Sequence, residues 1–97
     1  VRDMFGMFQY TKSFNQDISG WNVSNVKDMA CMFAYATSFN QDISSWNVSN
    51  VTNMASMFHN AKSFNQDLSD WDLSSIEYID NETRDLIRNN HNNIRRM

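Results

Sequence analysis

The sequence contains no proline, two glycines and a single cysteine in 97 residues. One cysteine, Cys31, excludes an internal disulfide framework and a zinc site built from cysteines. Because proline and glycine are so scarce, the turns must be made by Asn, Asp and Ser, whose side chains bond to nearby backbone groups. No apolar run approaches the length needed to cross a bilayer, so we expect no membrane insertion of this segment.

The sequence also lacks an excess of positive charge, since its formal net charge is −3 at pH 7. This balance gives no reason to expect a nucleic-acid partner or an anionic membrane partner. The composition, 41% apolar and 20% charged, is typical of a folded chain. The length predicts one small domain, close to the lower limit for a self-sufficient core.

The main feature of the sequence is an internal repeat. The heptad SFNQDIS occupies residues 13–19 and 38–44, and SFNQDLS follows at 63–69. The register is 25 residues, which defines repeat 1 (1–25), repeat 2 (26–50) and repeat 3 (51–75), followed by a divergent tail. Val1 stands at the same phase as Val26, Val51 and Ile76, so we expect a piece of a longer polypeptide with further repeats of the same chain upstream.

Two periodicities within the repeat predict its secondary structure. Apolar residues at helical spacing, preceded by Asn50 as a possible N-cap, predict a helix through Val51, Met54, Met57, Phe58 and Ala61. Trp46 and Val48 alternate with polar neighbours, which predicts a very short strand. Neither element could bury its apolar side alone, so neighbouring repeats must stack. The predicted fold is therefore an α/β solenoid of short parallel strands and short helices.

The heptad and the tail complete this prediction. In repeat 2, Phe39 and Ile43 should point inward, while the polar residues between them (Asn40, Gln41 and Asp42) close a corner and bond to their copies in the next repeat. Residues 1–79 should form the solenoid, comprising the three repeats and the start of a fourth. Residues 80–97, with a helix from Asn81, should cap its end through an apolar side formed by Ile79, Leu86, Ile87 and Ile94.

The spacing resembles the LxxLxLxx pattern of leucine-rich repeats, with Ile18, Trp21 and Val23 in place of leucines. The fuller signature MFxxAxSFNQDISxWNVSNVxxM resembles the BspA-like leucine-rich-repeat surface proteins over residues 1 to about 79. This resemblance implies a leucine-rich-repeat-like solenoid from a bacterial surface protein or lipoprotein, located at the cell surface or outside the cell. It also implies adhesion, or binding of a partner protein or glycan, without catalysis.

Catalytic and metal-binding alternatives have weaker support. The heptad places one carboxylate in each repeat, at Asp17, Asp42 and Asp67, whereas calcium requires six to eight oxygen ligands. A glycosidase needs two carboxylates in contrasting environments, and repeat copies have near-equal ones. Neither His59 nor His91 has a partner at the spacing of a metal site or a general base. We therefore predict no catalytic residues, no metal and no cofactor.

The remaining candidates for function lie on the surface. Trp21, Trp46 and Trp71 could form a sugar-stacking strip, but their alternation with polar residues favours the core. The polar residues beside them predict an outward binding face made of Gly20, Asn22, Ser24, Ser45, Asn47, Ser49, Asp70, Asp72 and Ser74. Two rival hypotheses remain: a passive spacer within a longer surface protein, and, with less support, a glycan-processing enzyme that uses the Asp ladder.

Overall fold

The three repeats stack in register, one beside the next. The computed structural model describes the backbone of residues 2–96 and the side chains of residues 2–88. Parallel bridges join equivalent positions of successive repeats, as Asp3↔Asp28, Asp28↔Asn53 and Asn53↔Tyr78. These isolated bridges are the only strand pairing, and α1 (Asn81–Arg96) the only helix, in the described part of the chain.

A backbone hydrogen-bond ladder extends each bridge. At every second residue an N–H group donates to a carbonyl 24 positions later, as from Phe8 to Met32 and from Phe33 to Met57, both at 2.9 Å. The intervening N–H groups close tight turns within their own repeat, as from Ala36 to Phe33 at 3.0 Å. Along the ladder segment, N–H groups therefore alternate between bonds within their own repeat and bonds to the next one.

The predicted helix through Val51–Ala61 is wrong, because this segment is a series of tight turns. The N–H of Met57 donates to Met54 and that of Ala61 to Phe58, three residues back instead of the four of an α-helix. Such turns also bring a side chain inward every three or four residues, so their apolar spacing imitates that of a helix. Asn50 is not an N-cap, since its Nδ2 donates to the Ser24 carbonyl at 2.8 Å.

The predicted strand at Trp46–Val48 is also wrong. The N–H of Trp46 closes a turn on Ile43 at 3.1 Å, and that of Val51 closes the next turn on Val48 at 3.0 Å. Residues 46–48 are therefore the short link between two turns. The bridge residue of this repeat is Asp28, and the next bridge along the chain forms at Asn53 of repeat 3.

Two positions in each repeat have a left-handed backbone conformation, and Cys31 occupies the first of them in repeat 2. Gly6, Cys31 and Ser56 are equivalent in the three repeats, and their φ angles are 62°, 59° and 58°. A second left-handed position in each repeat is occupied by Tyr10, Tyr35 and Asn60. Both sets hold the third residue of a tight turn, where a positive φ is characteristic of a type II turn. The turns are thus made with few glycines, at the expense of backbone strain at non-glycine residues.

Equivalent aromatic rings form columns through the core. Phe33 lies 5.5 Å from Phe58 and 4.2 Å from Phe39, measured between ring centroids, and both pairs are stacked. Trp46 and Trp71 stack at 6.5 Å. Phe33 and Phe39 are fully buried. Because each ring packs on its own copy, the 25-residue register is fixed by side chains as well as by backbone.

The predicted corner is confirmed. Asn15 Oδ1 accepts the N–H of Asn40 at 2.8 Å and the Nε2 of Gln41 at 3.0 Å. Asp42 Oδ1 accepts the N–H of Ser44 at 3.0 Å, which closes the turn locally. Phe39 and Ile43 are fully buried, as expected. The heptad is therefore a structural corner linked to its copy in the next repeat.

Asp80 ends the ladder and starts α1. Its Oδ1 accepts the N–H of Ser56 at 2.6 Å, where the preceding repeats use a backbone carbonyl. Its Oδ2 accepts the N–H of Thr83 at 3.2 Å, which is the bond of an N-cap. The helix begins at Asn81 as predicted, and Ile87 and Leu86 pack on the core of the repeats. The side chains of His91, Ile94, Arg95 and Arg96 lie outside the described residues.

Candidate functional site

The nine residues predicted to form a binding face occupy three equivalent positions in each of the stacked repeats. We call them the polar face: Gly20, Asn22, Ser24, Ser45, Asn47, Ser49, Asp70, Asp72 and Ser74. Seven are exposed, and the remaining two, Ser24 and Ser49, are half-buried. In each repeat they lie on two successive turns and on the short link between them, and not on a strand, because the bridges occur elsewhere. The face is thus a ridge of turns with equivalent residues in adjacent repeats.

Side-chain hydrogen bonds hold the central column of the polar face in place. Asn22 Oδ1 accepts both the N–H and the hydroxyl of Ser24, at 3.0 and 2.7 Å. Asn47 and Ser49 repeat this arrangement at 3.1 and 2.6 Å. An amide whose oxygen is fixed in this way presents its NH₂ group outward in a defined direction. In this column, Asn22 and Asn47 therefore each offer an ordered donor, and Asp72, at the equivalent position of repeat 3, offers an acceptor.

Charge changes along the polar face. Repeats 1 and 2 contribute only neutral residues to it, whereas repeat 3 contributes Asp70 and Asp72. The Ser74 hydroxyl and N–H bond to the carboxylate of Asp72 and lower its pKa below the usual value, so this group is anionic at neutral pH. Beside the neutral end, Arg2, Asn25, Lys27 and Asn50 line an open cavity of about 310 Å³. The carboxylates of the polar face thus belong to repeat 3, and the cavity lined by Arg2 and Lys27 belongs to repeats 1 and 2.

Trp21 differs from the prediction that all three tryptophans are buried. Trp46 and Trp71 are 4% and 6% exposed, whereas Trp21 is 41% exposed. The indole Nε1 of Trp46 donates to the Ile18 carbonyl of the preceding repeat at 3.1 Å. Repeat 1 has no preceding repeat in this sequence, so the equivalent contact cannot form for Trp21. Its ring packs against Phe8 at 5.7 Å and leaves a free side next to Asn22.

A second column of rings, formed by Tyr10, Tyr35 and His59, was missed by the sequence prediction; Tyr10 is exposed, and the other two are half-buried. Tyr10 stacks on Tyr35 at 5.0 Å, and Tyr35 meets the ring of His59 edge-on at 5.2 Å. His59 Nδ1 lies 2.8 Å from Glu82 Oε1, so this histidine has a partner after all, 23 residues away. Because Glu82 lies in the first turn of α1, the pair fastens the helix to repeat 3. A sequence pattern confined to one repeat cannot show this contact.

The Asp ladder takes part in turns. Asp17 Oδ1 accepts the N–H of Ser19 at 2.9 Å, and Asp67 Oδ1 accepts that of Ser69 at 3.0 Å. The Ser19 N–H and hydroxyl lower the pKa of Asp17, so the carboxylate remains charged and acceptor-only at neutral pH. Among residues whose side chains are described, no three His, Cys, Asp or Glu groups converge as a metal site would require.

Comparison with known proteins shows the family. A family model described as "Mycoplasma protein of unknown function, DUF285" matches residues 1–96. The chain belongs to the DUF285 family. No curated protein and no solved structure matches it significantly. Within the described residues, no helix combines the length and apolar character needed to span a bilayer. The family carries no assigned activity, so the functional argument depends on the surface of the chain.

Proposed function

We propose that this DUF285 chain is a non-catalytic interaction module that binds a partner protein or glycan through the polar face. We further propose that the stack is a leucine-rich-repeat-like solenoid in the broad sense of parallel stacked repeats, related to the BspA-like surface proteins. Its site of action would then be the cell surface or the extracellular space. The observation that carries the proposal is the ordered, exposed column of Asn22, Asn47 and Asp72.

Rigidity of the column supports binding. Groups that are already fixed lose little conformational entropy when a ligand engages them, which increases affinity for a given number of contacts. Asn22, Asn47 and Asp72 are each held by a serine two residues later, through bonds between 2.6 and 3.1 Å. Successive copies should lie roughly 4.8 Å apart, the usual separation of paired backbones. Such a column suits an extended ligand with several polar groups.

Variation along the polar face supports selectivity. The first polar-face position of each repeat changes from Gly20 to Ser45 to Asp70. The residue that follows it is tryptophan in all three repeats. Surface positions that vary on a constant scaffold are where a repeat protein adjusts its ligand preference without loss of fold. The carboxylates of Asp70 and Asp72 and the cavity lined by Arg2 and Lys27 would favour a ligand whose charges complement both.

The test is retention of the purified chain on panels of immobilised glycans and extracellular-matrix proteins. The variant Asn22→Ala, Asn47→Ala, Asp72→Ala removes the column. A matched control, Ser13→Ala, Ser38→Ala, Ser63→Ala, changes three exposed residues on another side of the stack. We expect the first variant to lose binding at least tenfold and the control to retain it. Equal binding by both folded variants would contradict the proposal.

The spacer hypothesis makes a different prediction. A spacer would tolerate deletion of repeat 2, residues 26–50, because the register of 25 residues lets repeat 1 stack directly on repeat 3. A binding face would lose Asn47 and one third of its column, and its affinity would fall. Measured binding that survives the deletion unchanged would favour the spacer. The same variant therefore separates the two hypotheses.

A further inference from the structure

Two basic residues occupy the same position in adjacent repeats. The N–H of Lys27 donates to the carbonyl of Arg2 at 2.9 Å, and paired backbones of this kind lie roughly 4.8 Å apart. Neither Arg2 nor Lys27 forms an ion pair within the described residues. Their like charges repel each other, and an anion that binds between them would relieve this repulsion.

The fold does not require a basic residue at this position. Thr52 is the equivalent residue of repeat 3, and its N–H donates to the Lys27 carbonyl at 2.8 Å, just as that of Lys27 donates to Arg2. Glu77 continues the same ladder, with its N–H 2.7 Å from the Thr52 carbonyl. The ladder thus forms equally with a hydroxyl or a carboxylate. Glu77 is two ladder steps, roughly 10 Å, from Lys27, which exceeds the Debye length of about 8 Å at physiological ionic strength.

The carboxylates that follow the two basic residues in sequence take part in turns. Asp3 Oδ1 accepts the N–H of Phe5 at 2.8 Å, and Asp28 Oδ1 accepts the N–H of Ala30 at 2.9 Å. Each carboxylate therefore stabilises its own repeat. Within the part of the chain that the structure describes, neither pairs with a basic side chain.

Amide groups complete the cavity of about 310 Å³ that the basic residues line. Its other lining residues are Asn25 and Asn50, and none of the lining side chains is apolar. Lys27 and Asn50 are exposed although repeat 2 has a neighbour on each side, so their exposure does not depend on an end of the stack. The Nδ2 of Asn50 donates to the Ser24 carbonyl at 2.8 Å, and its Oδ1 accepts no hydrogen bond from the described residues. The cavity thus combines two cations with an amide oxygen that can accept from a hydroxyl.

We propose that this cavity binds a negatively charged sugar residue of an acidic glycan. A sulfate or carboxylate group would lie between Arg2 and Lys27, where the guanidinium can donate two parallel hydrogen bonds to it, and a sugar hydroxyl would donate to Asn50. The inference rests on the proposed function, because it takes a glycan as the ligand. A lipid is disfavoured because no apolar side chain lines the cavity, and a nucleic acid is disfavoured by the net charge of −3.

The experiment measures the affinity of the chain for dextran sulfate, polygalacturonate and neutral dextran. The first two probes supply sulfate and carboxylate groups separately, and we expect at least one of them to bind while neutral dextran does not. The cavity variant, Arg2→Gln with Lys27→Gln, should lose affinity by about tenfold or more, because charge-assisted hydrogen bonds are the stronger ones. The matched control, Lys12→Gln with Lys62→Gln, removes the same charge from two exposed residues that do not line the cavity, and it should retain its affinity.

Three results would overturn the proposal. The first is that neither polyanion binds more tightly than neutral dextran. The second is that the cavity variant and the control have equal affinities, which would mean that net charge alone decides binding. The third is that phosphatidylglycerol vesicles or single-stranded DNA bind more tightly than both polyanions through the same two residues. Panel binding by the variant that lacks Asn22, Asn47 and Asp72 tests the proposed function separately, whereas unchanged polyanion binding by the cavity variant contradicts only this inference.

Discussion

Asn15, Asn40 and Asn65 occupy the same corner position in the three repeats, but we expect them to contribute differently to the stability of the chain. Asn40 Oδ1 accepts the N–H of Asn65 at 2.9 Å and the Nε2 of Gln66 at 3.0 Å. Asn40→Ala removes both bonds. A typical intramolecular hydrogen bond contributes about 0.5–1.5 kcal/mol, and Asn65 is exposed enough for water to replace part of the loss. We expect the free energy of unfolding to fall by about 1–2 kcal/mol.

The effect of each Asn→Ala substitution on stability should depend on whether another repeat follows that Asn in the stack. Asn15→Ala should cost a similar amount, because Asn15 accepts from Asn40 and Gln41 in the same way. Asn65 has no equivalent donor beyond it in the described residues, so Asn65→Ala should change stability by less than about 0.5 kcal/mol. Asn40→Asp is the isosteric control, since it retains the accepting oxygen, and it should also remain near neutral.

Urea unfolding monitored by tryptophan fluorescence measures these differences in the free energy of unfolding. In thermal unfolding, a loss of 1 kcal/mol corresponds to a decrease in melting temperature of roughly 4–8 °C for a domain of this size. The reasoning is refuted if Asn65→Ala is as destabilising as Asn40→Ala. It is also refuted if Asn40→Asp costs as much as the alanine variant. Either result would mean that the Asn side chain does not act as an acceptor for the next repeat.

Three further predictions concern the turns and the helix. Cys31→Gly should stabilise the chain by about 0.5–1 kcal/mol in thermal unfolding, because φ at Cys31 is 59°. Ala30→Gly is the control, at a neighbouring position without positive φ, and it should destabilise the chain. Asp80→Ala should cost about 1–3 kcal/mol through loss of the N-cap and of the acceptor for the ladder N–H. Burial raises the pKa of Asp80, but its hydrogen bonds outweigh this and hold the pKa below the ordinary 3.8. The stabilisation by Asp80 is therefore complete at neutral pH, and it is lost as the pH falls from 3.8 through the lower pKa of the folded state. Asp80→Asn should reduce this acid sensitivity, which a pH series of melting temperatures measures. A double-mutant cycle of His59→Gln and Glu82→Gln should give a coupling below about 1 kcal/mol, since both side chains are largely exposed, and a much larger value would show that the pair does more than fasten α1.

The features that the sequence predicted correctly are those that recur at a fixed offset. The register, the corner formed by Asn40 and Asp42, and the burial of Phe39 all follow from residues that must meet their own copies. The nine residues of the polar face were predicted from the same repetition, and seven of them are exposed. Their role in binding stays a prediction.

The features that were missed depend on backbone angles or on contacts outside the repeat. The spacing of Met54 and Met57 fits a helix, but the left-handed φ angles at Ser56 and Asn60 make the segment a set of turns. Gly6, at the equivalent position, was the available signal, because a glycine is unfavourable within a helix but natural at a positive φ. The pairing of His59 with Glu82 crosses from repeat 3 to the divergent tail, where no periodicity applies.

The most direct test of the stacked register is the scalar coupling that NMR detects across a hydrogen bond, measured from the N–H of Phe33. The stack predicts a coupling to the carbonyl carbon of Met57, 24 residues later, because these groups lie 2.9 Å apart. An α-helical repeat would instead couple Phe33 to Met29, four residues earlier. Coupling to Met57 would support the account, and coupling to Met29 would contradict it.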